Sequence, residues 1–162
     1  MEHCLKFIVP GEPKSKARPR FSRRGGHVIT YTPDDTHDYE NQVRYSAQLA
    51  RKAHNINKPI SQDMAISIKV YFGIPTSYSK KRRARCLSGE ERPTKKPDSD
   101  NIAKIVLDGL NPKMKVNHAL HKAVCLSEGL YRDDKQVVDL TVEKWYGEKP
   151  QVEVTAVWHD DS

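Results

Sequence analysis

Lys96-Pro97-Asp98-Ser99-Asp100-Asn101-Ile102-Ala103-Lys104-Ile105-Val106-Leu107-Asp108-Gly109-Leu110 is the stretch that organises this chain. Pro97 keeps Lys96 out of helical conformation, so the acidic cluster begins in extended chain and Asp100 is placed to cap a helix over residues 101–110. Ile102, Ile105, Val106 and Leu110 recur at helical spacing and give that helix one buried stripe. Asn111-Pro112 ends it. The helix must lie on something apolar, and the flanking sequence supplies strands. Residues 64–72 alternate Ile66, Ile68, Val70 and Phe72 with Ser67, Lys69 and Tyr71, the pattern of a half-buried strand in an antiparallel or mixed sheet. Residues 5–9, 137–145 and 152–158 also have strand character. A further helix starts near Thr32-Pro33-Asp34-Asp35 and carries Tyr39, Val43, Ala47 and Ala50 at helical spacing towards His54. The expected fold class is α+β, a single small domain over residues 1–162 with a mixed sheet packed by helices.

Three stretches are less regular. Pro10-Gly11-Glu12-Pro13 turns the chain into a basic loop at about 14–24, with Gly25-Gly26 as a hairpin tip returning through residues 27–31. Residues 76–96 form a second basic loop, with a short helix around Ala84 to Leu87. Residues 113–129 show a weak helical repeat in Val116, Ala119, Leu120, Ala123 and Val124.

The 162 residues are 36% hydrophobic and 30% charged, with a formal charge of +7 and a pI of about 9.3. That modest core invites completion by a second copy. No apolar run approaches the length of a membrane span, and the expected compartment is the cytosol. Cys4, Cys86 and Cys125 are odd in number and scattered, which fits free thiols and neither a disulfide framework nor a CxxC zinc site. A basic surface favours polyanionic partners.

Against that charge the carboxylate clusters stand out. Two apart in extended chain, Asp98 and Asp100 start on one face and can share a cation, although short acidic pairs are common and, from spacing alone, Asp100 as a helix cap and Asp98 as a solvated loop residue is the more ordinary account. Lys104, four residues beyond Asp100, is either its ion-pair partner or a cation for a phosphate under attack. Asp133-Asp134, at a turn entering a strand, are a third carboxylate source, and phosphodiester hydrolysis commonly uses several acidic ligands for Mg²⁺. His118, His121 and Cys125 would share one helical face as a weak zinc candidate. Tyr39, Tyr45, Tyr71 and Tyr78 could stack on unpaired bases, but core or boundary positions suit them as well.

These residues, together with Leu107-Asp108-Gly109-Leu110, Asp133-Asp134-Lys135-Gln136-Val137-Val138, Lys144 and the opening Pro10-Gly11-Glu12-Pro13 with Lys16-Ala17-Arg18-Pro19-Arg20, resemble the RusA family of Holliday junction resolvases. Ser99 stands where many relatives carry an apolar residue, and the 111–129 segment is longer than the usual link, which implies added surface structure for a dimer or DNA contact. The resemblance implies a homodimeric endodeoxyribonuclease that nicks four-way DNA junctions symmetrically with Mg²⁺ in recombination and repair, often phage-encoded. It implies Asp98, Asp100 and Asp134 as catalytic metal ligands with Asp133 beside them, and Lys104 as the catalytic lysine. Lys14, Lys16, Arg18, Arg20, Arg23, Arg24, Lys80, Lys81, Arg82, Arg83, Lys95 and Lys96 would meet backbone phosphates. The rival readings are a less selective nuclease acting on flaps and forks, and a non-catalytic branched-DNA-binding protein.

Overall fold

The computed structural model describes residues 1–13, 20–24, 27–31 and 34–160. Its centre is a four-stranded mixed sheet in the order β1-β8-β4-β7, built from β1 (Glu2–Pro10), β4 (Met64–Gly73), β7 (Val137–Gly147) and β8 (Gln151–His159). β8 pairs antiparallel with both β1 and β4, while β7 lies parallel to β4 at the edge. Two ribbons stand outside this sheet, β2 (Arg20–Arg24) with β3 (His27–Tyr31) and β5 (Lys113–Asn117) with β6 (Lys122–Ser127). Helices α1 (Asp34–Ala53), α2 (Lys80–Ser88) and α3 (Ser99–Leu110) complete the fold.

The alternation read along the strands has a single physical outcome. Register places Leu5, Phe7 and Val9 beside Ala156, Val154 and Val152, which in turn sit beside Ile66, Ile68 and Val70. All of these are buried, so one face of the sheet is apolar. The other face carries pairs such as Lys6 Nζ with Glu153 Oε1 at 2.8 Å. Onto the apolar face pack the stripes Tyr39-Val43-Ala47 of α1 and Ile102-Ile105-Val106-Leu110 of α3. The two helices approach closely at Gly109, where a Cβ would lie 2.7 Å from Val43 Cβ and 3.0 Å from the Glu40 carbonyl. A side chain at 109 would therefore part the helices.

Two arginines of α1 are buried, Arg44 at 5% exposure and Arg51 at 5%. Arg44 donates through Nε to the Asn111 carbonyl at 2.8 Å and through Nη2 to the Asp108 carbonyl at 3.3 Å. It thereby satisfies the last carbonyls of α3 with a cation, the favourable sign for that end of a helix. Arg51 donates through Nη1 to the Gly129 carbonyl at 3.0 Å. Arg44→Met keeps most of the apolar stem and leaves the Asn111 carbonyl without this donor, while the Asp108 carbonyl keeps the Asn111 N–H at 3.3 Å. Urea denaturation is expected to show a loss of about 2–3 kcal/mol.

The structure corrects three expectations about local structure. α3 begins at Ser99, with Asp98 rather than Asp100 as the N-cap residue (φ −69°, ψ 157°). Residues 113–127 are a β-hairpin and not a helix. The Asn117 side-chain oxygen accepts from the backbone N–H groups of Ala119 and Leu120, and His121 takes the left-handed conformation (φ 50°). Such an Asx turn competes with helix, and strand propensity in Val116 and Val124 then decides the outcome. β2 also replaces part of the basic loop, while residues 14–19 and the tip Gly25-Gly26 lie outside the described residues.

Candidate metal centre and nucleic-acid interface

Asp98 and Asp100 sit at the amino end of α3, both exposed. Asp98 makes no side-chain capping bond, and neither carboxylate has a partner among the described residues. Free backbone N–H groups and the positive end of the helix dipole stabilise negative charge here. The alternation argument for a shared face does not hold, because the chain becomes helical between the two residues. What they retain is closeness along the chain and lone pairs free for a cation.

Lys104 follows one turn later on the same stripe as Asp100 and Asp108. Its ammonium lies 3.9 Å from Asp108 Oδ2 and is 65% exposed. The expected partner Asp100 is thus replaced by Asp108. At 3.9 Å and largely in water, this pair constrains Lys104 weakly, which leaves the ammonium free to meet another anion.

The second acidic cluster is built by a 3-10 turn, Asp134–Gln136, that leads into β7. Asp133 caps it, accepting from the Lys135 N–H at 2.9 Å, while the Gln136 side-chain oxygen accepts from the Asp133 N–H at 3.1 Å. The bond from Lys135 holds the Asp133 pKa below its ordinary value. Gln136 Nε2 also donates to the carbonyls of Ile60 and Gln62, so the turn is fastened to the body. Asp134 Oδ2 accepts from Asn111 Nδ2 at 3.1 Å. Tyr131 donates its hydroxyl to the Leu107 carbonyl at 2.7 Å. Burial, followed by the negative charges of Asp134, Asp108 and Asp133, raises its pKa.

Asp134 therefore sits at the carboxyl end of α3, whereas Asp98 and Asp100 sit at the amino end. Eleven residues from Asp100 to Asn111 span about 16 Å of helix. Within one chain the carboxylates expected to share a metal do not meet, and no group of three or more His, Cys, Asp or Glu is placed to hold one among the described residues. The zinc candidate fails for the same reason: His118 and His121 lie in and beside the hairpin turn and Cys125 on β6, so the helical face that would align them does not exist. Asp108, Asn111 and Tyr131 are not among the site residues expected from the sequence. The i+4 spacing of Asp108 from Lys104 was its available signal.

Of the basic residues, Lys80, Lys81, Arg82 and Arg83 are on α2. Arg82 is engaged, with Nε 3.0 Å from Glu91 Oε1 and its guanidinium 3.6 Å over the Tyr78 ring. Lys95 and Lys96 are exposed just before the acidic cluster. Arg92 stacks 3.7 Å over Trp145 and donates to the Lys144 carbonyl at 2.9 Å, while Lys144 Nζ donates to the Lys95 carbonyl at 2.5 Å. These bonds tie the basic segment to β7 and bring it alongside the amino end of α3. Arg20, Arg23 and Arg24 fall on β2, and Lys14, Lys16 and Arg18 lie outside the described residues. Tyr39 is buried and Tyr45 is 61% exposed.

Compared with known proteins, residues 10–157 match the family described as Endodeoxyribonuclease RusA, nearly the whole chain. The chain belongs to the RusA family. The uncharacterized protein YqaN of Bacillus subtilis (strain 168) is 40% identical over 153 residues, which cover 93% of this chain and 94% of that protein. RusA membership makes the chain a nuclease, an enzyme that cuts DNA internally, and agrees with the α+β domain and its mixed sheet. No helix among the described residues is long and apolar enough to cross a membrane.

Proposed function

We propose that this RusA-family chain is a metal-dependent endonuclease that resolves four-way DNA junctions by paired, symmetrical nicks, acting as a homodimer in recombination and repair. The observation that carries this reading is the pair of uncommitted carboxylates, Asp98 and Asp100, at the positive end of α3 with Lys104 one turn away.

An all-oxygen donor set suits a hard cation, and Mg²⁺ is usually held by one or two carboxylates together with water and substrate phosphate. Asp98 and Asp100 would hold it. When bound, the ion supplies polarisation of the phosphodiester and a more acidic water. Asp134, some 16 Å along the helix in its own chain, would reach such a centre from a second copy, with Asp133 beside it. Lys104, weakly held and free to swing, would offset the charge that gathers on the phosphate during attack. Lys80, Lys81, Arg83, Lys95 and Lys96 would track backbone phosphates, giving affinity that falls steeply with salt and reads few bases. Two copies related by a twofold axis would present two such centres to a twofold substrate, which is how one protein makes symmetrical cuts.

The test is nicking of a labelled mobile four-way junction and of a matched linear duplex, with Mg²⁺ or EDTA. Paired nicks confined to the junction and dependent on Mg²⁺ are expected. Equal cutting of duplex, flaps and forks would replace the resolvase with a general nuclease, and tight binding without any nick would leave a branched-DNA-binding protein.

A further inference from the structure

We propose that Asn111 is a positioning residue for the metal centre: its side-chain amide turns the Asp134 carboxylate so that one oxygen stays open to the cation, and it does so without bringing a competing charge. The proposal rests on the preceding reading, in which Asp134 is a metal ligand.

Asn111 Nδ2 donates to Asp134 Oδ2 at 3.1 Å, a contact across 23 residues of sequence. The main chain behind that amide is fixed from three sides. The Asn111 N–H bonds back to the Leu107 carbonyl at 3.1 Å and the Asp108 carbonyl at 3.3 Å. Its own carbonyl accepts from the buried Arg44 at 2.8 Å. Pro112 then keeps it in extended backbone, with φ −70° and ψ 152°. Only the two side-chain torsions remain, and the bond to Asp134 settles them. The far end is just as firm, because Asp134 opens the turn that Asp133 caps and that Gln136 fastens to the carbonyls of Ile60 and Gln62. The bond thus joins two anchored parts, the end of α3 and the entry to β7, and what it decides is the rotation of the carboxylate. Groups that orient a metal ligand from behind act in this way.

Nothing in the helix end requires this amide. Asparagine is favoured after a helix because it tolerates left-handed backbone, and Asn111 does not take that conformation. Its main-chain groups complete the end of α3 whatever the side chain. Neighbouring donors are engaged elsewhere: the Tyr131 hydroxyl on the Leu107 carbonyl at 2.7 Å, Lys104 on Asp108 at 3.9 Å and the Lys135 N–H on Asp133 at 2.9 Å. In a chain with 28 lysines and arginines, the side chain set on Asp134 is a neutral one. A carboxylate accepts at roughly four lone-pair sites, so one amide on Oδ2 leaves Oδ1 for a cation. A lysine or arginine in that place would orient the group as well, but would repel the ion it serves.

Electron paramagnetic resonance of Mn²⁺, whose solution signal falls as the ion binds, measures affinity in the DNA-free protein and needs no turnover. Asn111→Ala and the similarly sized Asn111→Leu, both shown to be folded by circular dichroism, should bind Mn²⁺ about tenfold or more weakly than wild type. Asp134→Ala should weaken it too, and adding Asn111→Ala to that variant should change nothing further, because the group being positioned is gone. Gly11→Ala loosens the fold away from this joint and should bind Mn²⁺ as wild type does, which separates positioning from general destabilisation. Wild-type affinity in either Asn111 variant, or a further loss in the double variant, would overturn the role of Asn111 while a weakened Asp134→Ala kept Asp134 as a ligand. A wild type that binds no Mn²⁺, or an Asp134→Ala chain that binds it normally, would overturn the proposal together with the reading beneath it.

Discussion

Asp100→Asn is expected to abolish junction nicking, by a factor of about 10³ or more, while junction binding persists. The size follows from what one carboxylate contributes to a cation that polarises the phosphate, which is worth several kcal/mol of transition-state stabilisation. The substitution is nearly isosteric, at an exposed position with no partner to lose among the described residues. The only folding cost is loss of a favourable charge at the helix amino end, about 0.3–1 kcal/mol. Removing a negative charge beside bound phosphate should leave affinity unchanged or slightly tighter. Single-turnover nicking and a gel-shift assay on one preparation separate the two effects. Nicking at the wild-type rate would remove Asp100 from the centre and with it the role given to the amino end of α3. Asp134→Asn should behave alike if a second copy supplies that group.

Gly129→Ala is the substitution expected to damage the fold most. A Cβ at 129 would lie 2.1 Å from the Leu110 carbonyl oxygen, 2.7 Å from Asn111 C and 2.8 Å from Pro112 N. All three are backbone atoms, so no rotamer change relieves the overlap. The crossing is held by the Leu130 N–H to the Leu110 carbonyl at 2.9 Å and by Arg51 on the Gly129 carbonyl. Separating the two segments breaks these bonds and opens the core beneath Leu130, for an expected loss of about 4 kcal/mol or more. Gly11→Ala is the control: its φ of +94° disfavours a side chain, but nothing lies within 4 Å, so about 1 kcal/mol is expected. Thermal unfolding of the two variants should therefore differ by about 6–12 °C in midpoint. Similar midpoints would show that the chain at 110–112 can yield.

Much of this architecture is legible in the sequence because it follows from periodicity. Ile66-Ile68-Val70-Phe72 and Val152-Val154-Ala156 alternate strictly, and Ile102-Ile105-Val106-Leu110 recurs with the helical turn, so strands and helices declare their own buried faces. The hairpin was hidden because Val116, Ala119, Leu120, Ala123 and Val124 mimic a helical repeat, while the feature that decides against it is one Asn117 side chain turning back on its own backbone. At the site, the exposed carboxylates and Lys104 were visible as residue types at fixed spacing. Their partners were not. That Lys104 faces Asp108, or that Asp134 hangs from Asn111 at the far end of α3, depends on where helix and turn meet in space, which no local pattern encodes. Arg44 and Arg51 were likewise invisible as buried anchors, because nothing in the spacing of α1 distinguishes an arginine facing carbonyls from one facing water.

The backbone bond between Leu130 and Leu110 joins two residues twenty apart in sequence at a single point, with Arg44 and Arg51 gripping the chain just beyond each side of it. Gln48 and Arg51 also hold Ser127 and Glu128, so everything from Pro112 to Leu126 is a closed excursion that leaves and re-enters the domain through one socket. Because the entropy of closing such an excursion grows only slowly with its length, the segment can change length or sequence at little cost to the domain beneath it. Whatever diversity in assembly or target choice such proteins acquire can be written there without rewriting the enzyme.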